Sequence, residues 1–148
     1  MKKVALITGA TSGIGEATAF MFASKGYNLI ITGRRSDRLK TLKNKLEDES
    51  VKVLDLCFDI RDENQVKEII GLLPQEWQNI NVLVNNAGLA AGLESIDLGD
   101  IDDWNRMIDT NIKGLLYMTK EVVEIMKQKD TEGHIINIGS IAGKEGYP

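Results

Sequence analysis

The chain has 148 residues, 43% hydrophobic and 27% charged, with 18 basic against 22 acidic residues for a net charge of −4. That balance excludes a disordered chain, and the mild acidity argues against a nucleic-acid-binding domain. One Cys and one His exclude an internal disulfide and a His/Cys zinc site, and leave any His-based triad a single candidate base.

The length suits one globular domain with a substantial core. The apolar run at residues 4–7 stops at Thr8-Gly9, too soon for a signal-peptide core of about 7–15 residues. No segment approaches the ~20 apolar residues of a membrane span. The expectation is a cytoplasmic protein with no membrane and no nucleic-acid partner.

Apolar runs that suit buried strands alternate with helical spacings along the chain. Residues 4–8 form the first run and end in a Gly-rich turn; residues 14–24 then read as a helix with Ile14, Ala17, Met21 and Phe22 on one side. Leu29-Ile30-Ile31 is a second strand, followed by a charged surface helix over 36–49 marked by Leu39, Leu42 and Leu46. Residues 51–58 suit a third strand, with Cys57 expected as an inert buried thiol. A third helix over 62–73 is capped near Asp62 and stopped by Pro74.

Val82-Leu83-Val84 is a fourth strand ending in Asn85-Asn86-Ala87-Gly88. Residues 101–129 carry one long helical pattern, clearest at Ile112, Leu115, Leu116, Thr119, Val122, Val123 and Met126, and residues 134–138 form a fifth strand. The acidic group Asp97, Asp100, Asp102 and Asp103 lacks the Gly and distal Glu of a calcium loop, so Asp100 or Asp102 is expected to cap a helix before Trp104. His134, at a strand start, is read as structural, and no metal site is expected. Strands alternating with helices imply an α/β fold, a Rossmann-type doubly wound parallel sheet, in which ligands bind beyond the carboxyl ends of the strands.

Two of those strand ends carry chemistry. The turn Thr8-Gly9-Ala10-Thr11-Ser12-Gly13-Ile14-Gly15 joins strand to helix. Glycines there allow a tight turn and close approach to a pyrophosphate, which the helix N-terminus attracts. No Gly-Lys-Ser/Thr follows, which argues against a P-loop. After the second strand, where an NAD-binding domain places an acidic residue for the ribose hydroxyl, the chain has Arg34-Arg35. Guanidinium groups attract a 2′-phosphate, so the expected cofactor is NADP. The competing reading is two solvated arginines opening a charged helix.

Thr8-Gly9-x-x-x-Gly13-x-Gly15, Asp59-Ile60, Asn85-Asn86-Ala87-Gly88, Asn111 and Ile138-Gly139-Ser140 stand in an order and spacing that resembles the short-chain dehydrogenase/reductase family, in its short single-domain branch. The resemblance covers the whole chain. It implies that Gly9, Thr11, Ser12, Gly13, Ile14 and Gly15 cradle the cofactor, with Arg34 and Arg35 at its phosphate. It further implies that Asp59, beside Ile60, accepts from the adenine amino group and that Asn86, Ala87 and Gly88 line the ribose and nicotinamide. Asn111 would sit in a helix and hold a water of a proton relay, and Ser140 would hydrogen-bond the substrate oxygen. Each has a plainer alternative: helix entry for Asp59, turn formation for Asn86, strand termination for Ser140.

The family's acid/base pair is a Tyr-x-x-x-Lys beyond that serine, and none occurs in these 148 residues. Tyr147 follows Ser140 too closely to serve. Residues 1–148 are therefore expected to be the amino-terminal part of a longer single dinucleotide-binding domain, inactive as given and a homodimer or tetramer when complete. The whole would transfer hydride between NADP(H) and a small alcohol or carbonyl, with a 3-hydroxy acid or serine suggested by residues 108–118 and 138–148. A non-catalytic dinucleotide-binding or sensing module is the alternative; a methyltransferase would leave Arg34 and Asn85–Gly88 unexplained.

Overall fold

In the computed structural model, residues 2–130 and 132–145 are described; Tyr147 and Pro148 lie outside them. The strands are β1 (Val4–Ile7), β2 (Asn28–Gly33), β3 (Val53–Cys57), β4 (Ile80–Asn85) and β5 (His134–Asn137). They form one all-parallel sheet in the order β3-β2-β1-β4-β5. The helices are α1 (Gly13–Ser24), α2 (Ser36–Glu47), α3 (Glu63–Gly71), α4 (Ile101–Ile108) and α5 (Leu115–Gln128).

The central strands are mostly apolar because both faces of the sheet are covered. Side chains of a strand alternate between faces, so Val4, Leu6, Ile30 and Leu83 enter one core while Ala5, Ile7, Leu29, Ile31 and Val84 enter the other. Val66 and Ile70 of α3 and Met118, Val122 and Met126 of α5 close the first core. Ala19 and Ala23 of α1 and Leu39, Leu42 and Leu46 of α2 close the second. The doubly wound Rossmann-type sheet is as expected. Helix boundaries also follow local chemistry: Asp62 accepts from the Gln65 amide at 3.1 Å and Asp100 from the Asp102 amide at 2.8 Å, both as side-chain caps.

Several expectations need correction. On α1 the buried residues are Gly15, Ala19 and Ala23, whereas Ile14 and Met21 are 63% and 61% exposed. The helix lies so close to the sheet that only small side chains fit beneath it, and the bulky ones turn outward. The long helix expected over 101–129 is interrupted by a π-helical segment, Asp109–Gly114, between α4 and α5. That wider turn shifts the phase of the apolar stripe. Met118, Val122 and Met126 are therefore buried, while Ile112 and Leu116 stand more than half exposed.

Strand β4 is longer than its apolar triplet. The register slips between Val4 and Ala5, and the amide of Val4 donates instead to Asn81 Oδ1 at 3.0 Å. Cys57 is exposed rather than buried, because it ends the outermost strand, β3, with no neighbour beyond it. His134 is likewise exposed, on the opposite edge strand. Among the described residues no group of His, Cys, Asp or Glu could hold a metal ion, and no helix is long and apolar enough to cross a membrane.

Candidate functional site

A cleft of about 1000 Å³ opens along the carboxyl ends of all five strands. Gly9, Thr11 and Ser12 follow β1, Arg34 and Arg35 follow β2, and Asp59 and Ile60 follow β3. Asn86, Ala87 and Gly88 follow β4, and Gly139 and Ser140 follow β5. The strand order reverses between β1 and β4, which is where a doubly wound sheet leaves a crevice. Of the residues singled out by sequence, only Gly13 and Gly15 do not line the cleft; both belong to the start of α1 that flanks it.

The floor of the cleft is a staple between β1 and β4. Thr8, 1% exposed, accepts at Oγ1 from the amides of Asn86 and Ala87, each at 3.0 Å, and donates to the carbonyl of Val84 at 3.4 Å. Asn86 answers by donating from Nδ2 to the carbonyls of Thr8 and Gly9 at 3.0 and 3.1 Å. The Asn86 amide group is thus spent on the protein itself, and what this residue offers the cleft is its backbone position. Gly9 has φ +64°, and a Cβ there would stand 2.8 Å from Ala87 Cα. Only glycine keeps the two loops this close.

Beyond β2 the cleft is basic and lined by hydroxyls. Arg35 Nη2 donates to Thr11 Oγ1 at 2.8 Å and to Ser12 Oγ at 3.3 Å, so one guanidinium organises the outer lip of the glycine turn. Arg34 is 60% exposed, and its Nη1 lies 3.8 Å from Asp59 Oδ2. Asp59 is gripped elsewhere: Arg61 Nε bonds Oδ1 and Oδ2 at 3.0 Å each, and Arg61 Nη2 bonds Oδ2 at 2.6 Å. The Arg61 amide adds a bond to Oδ1 at 3.0 Å. Partial burial pushes the Asp59 carboxyl pKa up, but the Arg61 hydrogen bonds and the charges of Arg61 and Arg34 outweigh it. The carboxyl is held below its usual range, and Asp59 is an anion at neutral pH.

At the other end, Asn111 stands in the π-helical segment, not in a regular helix. Its Oδ1 accepts from the Leu89 amide at 2.9 Å and its Nδ2 donates to the Leu89 carbonyl at 2.7 Å. The side chain therefore pins the loop after Gly88 in the manner of a backbone strand, and both its polar ends are engaged in doing so. Ser140 caps a short 3-10 turn, Ile141–Gly143, by accepting from the Ala142 amide at 3.2 Å. A hydroxyl that accepts there keeps its own proton free to donate into the cleft.

A family model for short chain dehydrogenases matches residues 3–148. The chain belongs to the short-chain dehydrogenase/reductase family. It is 47% identical over 144 residues to an NADP-dependent 3-hydroxy acid dehydrogenase, YdfG, of Salmonella typhi, covering 97% of this chain and 56% of that protein. Sulfoacetaldehyde reductase 2 of Chromohalobacter salexigens is 44% identical over 148 residues, covering 100% of this chain and 58% of that one. Among solved structures, the closed form of a serine dehydrogenase complexed with NADP+ superposes with a TM-score of 0.90 at 46% identity, covering 97% of this chain and 56% of that one. The chain thus spans little more than half the length of the curated relatives it matches.

Measured against the family motifs, sequence reasoning missed the residues that hold the site together. Thr8 ends the first apolar run and opens the glycine turn in the sequence, and a hydroxyl at the end of a fully apolar strand is the signal for the buried hydrogen-bond hub it forms. Asn85 is 4% exposed and donates from Nδ2 to Thr119 Oγ1 and Asn137 Oδ1, each at 2.9 Å, tying β4 to α5 and β5. Neither Thr119 nor Asn137 carries a motif, and only the parallel pairing of β4 with β5 brings Asn137 opposite Asn85. Arg61 had a local signal, since Asp-x-Arg lets a side chain fold back on the carboxylate two residues earlier.

Proposed function

We propose that the intact protein is an NADP(H)-dependent oxidoreductase that interconverts a small alcohol and its carbonyl, with a 3-hydroxy acid or serine as substrate. On this reading residues 1–148 are the dinucleotide-binding, amino-terminal part of one longer domain. The observation that carries it is the composition of the cleft beyond β2. Two guanidinium groups and two hydroxyls stand there, and the one carboxylate among the described residues that line the cleft, Asp59, is already paired with Arg61. A 2′-phosphate is the part of NADP that such a surface distinguishes from NAD.

The residues present suit a dinucleotide. The close approach of Gly9 to Ala87 leaves a floor without side chains, and the amino end of the 12-residue helix α1 offers unbonded amides to a pyrophosphate. Thr11, Ser12, Arg34 and Arg35 hold the phosphate on the adenosine ribose. Asp59 would accept from the adenine amino group, with Ile60 beside it. Ala87 and Gly88 border the nicotinamide ribose, a position kept by the staple through Thr8 and Asn86.

When bound, NADPH supplies the hydride. Ser140 donates its proton-bearing hydroxyl to the substrate oxygen, where negative charge develops during reduction. Asn111 fixes the Leu89 loop beside the reacting region and belongs to the proton relay the family pattern implies. The acid itself comes from a Tyr-x-x-x-Lys, a pattern that does not occur in residues 1–148.

Loss of a charge-assisted bond to a phosphate costs about 1.5–3 kcal/mol, or roughly 10- to 100-fold in affinity. Arg34→Asp should weaken NADPH binding by at least that much; unchanged affinity, measured through nicotinamide fluorescence, would defeat the assignment. A second reading is a dinucleotide-binding or sensing module without catalysis. The 148-residue chain should reduce no carbonyl with NADPH on either reading. Turnover of 3-hydroxy acids by the full natural protein separates the two, and turnover by the 148-residue chain would overturn the acid/base assignment.

A further inference from the structure

Arg61 belongs to no motif of the chain, yet it makes more bonds to Asp59 than any other residue does. Both carboxylate oxygens accept from its guanidinium, and its own amide adds a fourth bond at 3.0 Å. The same carboxylate attracts Arg34, whose Nη1 lies 3.8 Å from Oδ2, while Arg61 Nη2 holds that oxygen at 2.6 Å. Two arginines thus compete for one anion, and the better-placed one wins: Arg61 approaches with its planar fork, Arg34 only with one distal nitrogen. Arg34 stays 60% exposed, lines the cleft, and makes only the long, single-nitrogen ion pair at 3.8 Å.

We propose that Arg61 is a specificity-determining positioning residue: by occupying the Asp59 carboxylate it keeps Arg34 free for the 2′-phosphate of NADP(H) and cancels a negative charge that would repel that phosphate. The proposal rests on the cofactor reading given above. It assigns Arg61 no contact with the phosphate, since its fork is already turned onto Asp59. A carboxylate accepts about four hydrogen bonds; the four contacts come from three N–H groups of Arg61, the Nε–H being shared between both oxygens, which leaves about one acceptor position open. Backbone and side chain of Arg61 also fix the orientation of Asp59, which sets the lone pairs left for the adenine amino group. Without Arg61, Arg34 would close the short remaining distance to Asp59 and leave the phosphate with Arg35 as its only guanidinium.

The test measures dissociation constants of NADPH and NADH in the full natural protein, by nicotinamide fluorescence in the absence of substrate, for wild type, Arg61→Gln and the pair Asp59→Asn/Arg61→Gln. Arg61→Gln should weaken NADPH by about tenfold, the lower bound for one charge-assisted phosphate bond, and NADH by much less, so that the NADPH-to-NADH preference collapses. In the double variant the competing anion is gone and the preference should return, even though both affinities fall together through the lost adenine contact. Equal weakening of both cofactors by Arg61→Gln, no change in the ratio, or a ratio that stays collapsed in the double variant would each overturn the proposal. If Arg61→Gln does not fold, Arg61→Lys, which keeps the charge but not the fork, decides: a selective loss of NADPH restored by Asp59→Asn supports the role, and an unchanged ratio refutes it. Failure of the underlying cofactor reading looks different, because wild type would then show no NADPH preference and Arg34→Asp would leave NADPH affinity intact.

Discussion

Replacing Thr8 by Val tests whether the floor of the cleft is held by one hydroxyl. The two side chains are nearly the same shape, so packing in the 1%-exposed site is preserved while the oxygen disappears. The amide of Ala87 loses its acceptor, the amide of Asn86 keeps only the Val84 carbonyl at 3.1 Å, and that carbonyl loses the hydroxyl donor at 3.4 Å. A buried donor left without a partner costs about 1–3 kcal/mol. Ala87 is only partly buried and Asn86 retains its second acceptor, so the substitution should cost about 1–2 kcal/mol. For a chain of 148 residues that corresponds to a fall in melting temperature of about 3–6 °C. Thr32 supplies the internal control. It is equally buried, one strand away, but its Oγ1 has no hydrogen-bond partner among the described residues. Thr32→Val should therefore be neutral or stabilising. The assay is thermal unfolding by circular dichroism, with Thr8→Ser keeping the hydroxyl. Equal effects of Thr8→Val and Thr32→Val, or a Thr8→Val melt indistinguishable from wild type, would refute the reasoning.

Two further outcomes are expected. Ser140→Ala in the full protein should lower kcat/KM by about 100-fold or more, the usual loss for one donor at a developing oxyanion, with NADPH affinity retained; comparable activity would remove Ser140 from the mechanism. The Asp59 carboxyl titrates below its usual range, so its ion pair contributes stability above the unfolded value of about 3.9 and loses that contribution as pH falls through the folded one. Urea midpoints measured down to about pH 3 should fall less steeply in Asp59→Asn than in wild type, and parallel curves would contradict the pairing.

What could be read from the chain and what could not divide along a physical line. Patterns written in consecutive residues were readable: the apolar strands, the glycine turn, the Asp62 and Asp100 caps, and the residues that follow each strand and line the cleft. Features set by how closely elements approach were not. The spacing of Ile14 and Met21 suits an inward helix face, yet the proximity of α1 to the sheet demands Gly15, Ala19 and Ala23 there instead. The π-helical segment leaves no mark in a helical periodicity, though it decides which residues of α5 are buried and where Asn111 stands. Cys57 looks buried in its apolar run because an edge strand and a central one read alike until the strand order is known. Asn111 was recognised by its family pattern, but its grip on Leu89 depends on a contact 22 residues away.

The staple between β1 and β4 also bears on how the molecule folds. Thr8 and Val84 are 76 residues apart, whereas Asn28 and Lys52, which join β2 to the start of β3, are separated by 24. Closing the longer loop costs only about 1 kcal/mol more in chain entropy, but it has to wait until the distant segment arrives. The unit from β1 to β3 can therefore assemble from near neighbours and expose the glycine turn and Arg34-Arg35 early. The opposite wall, Asn86 to Gly88, arrives only with β4. A dinucleotide touching both walls would act as a clasp on this last-made junction, so its binding should slow hydrogen exchange most at the amides of Asn86 and Ala87.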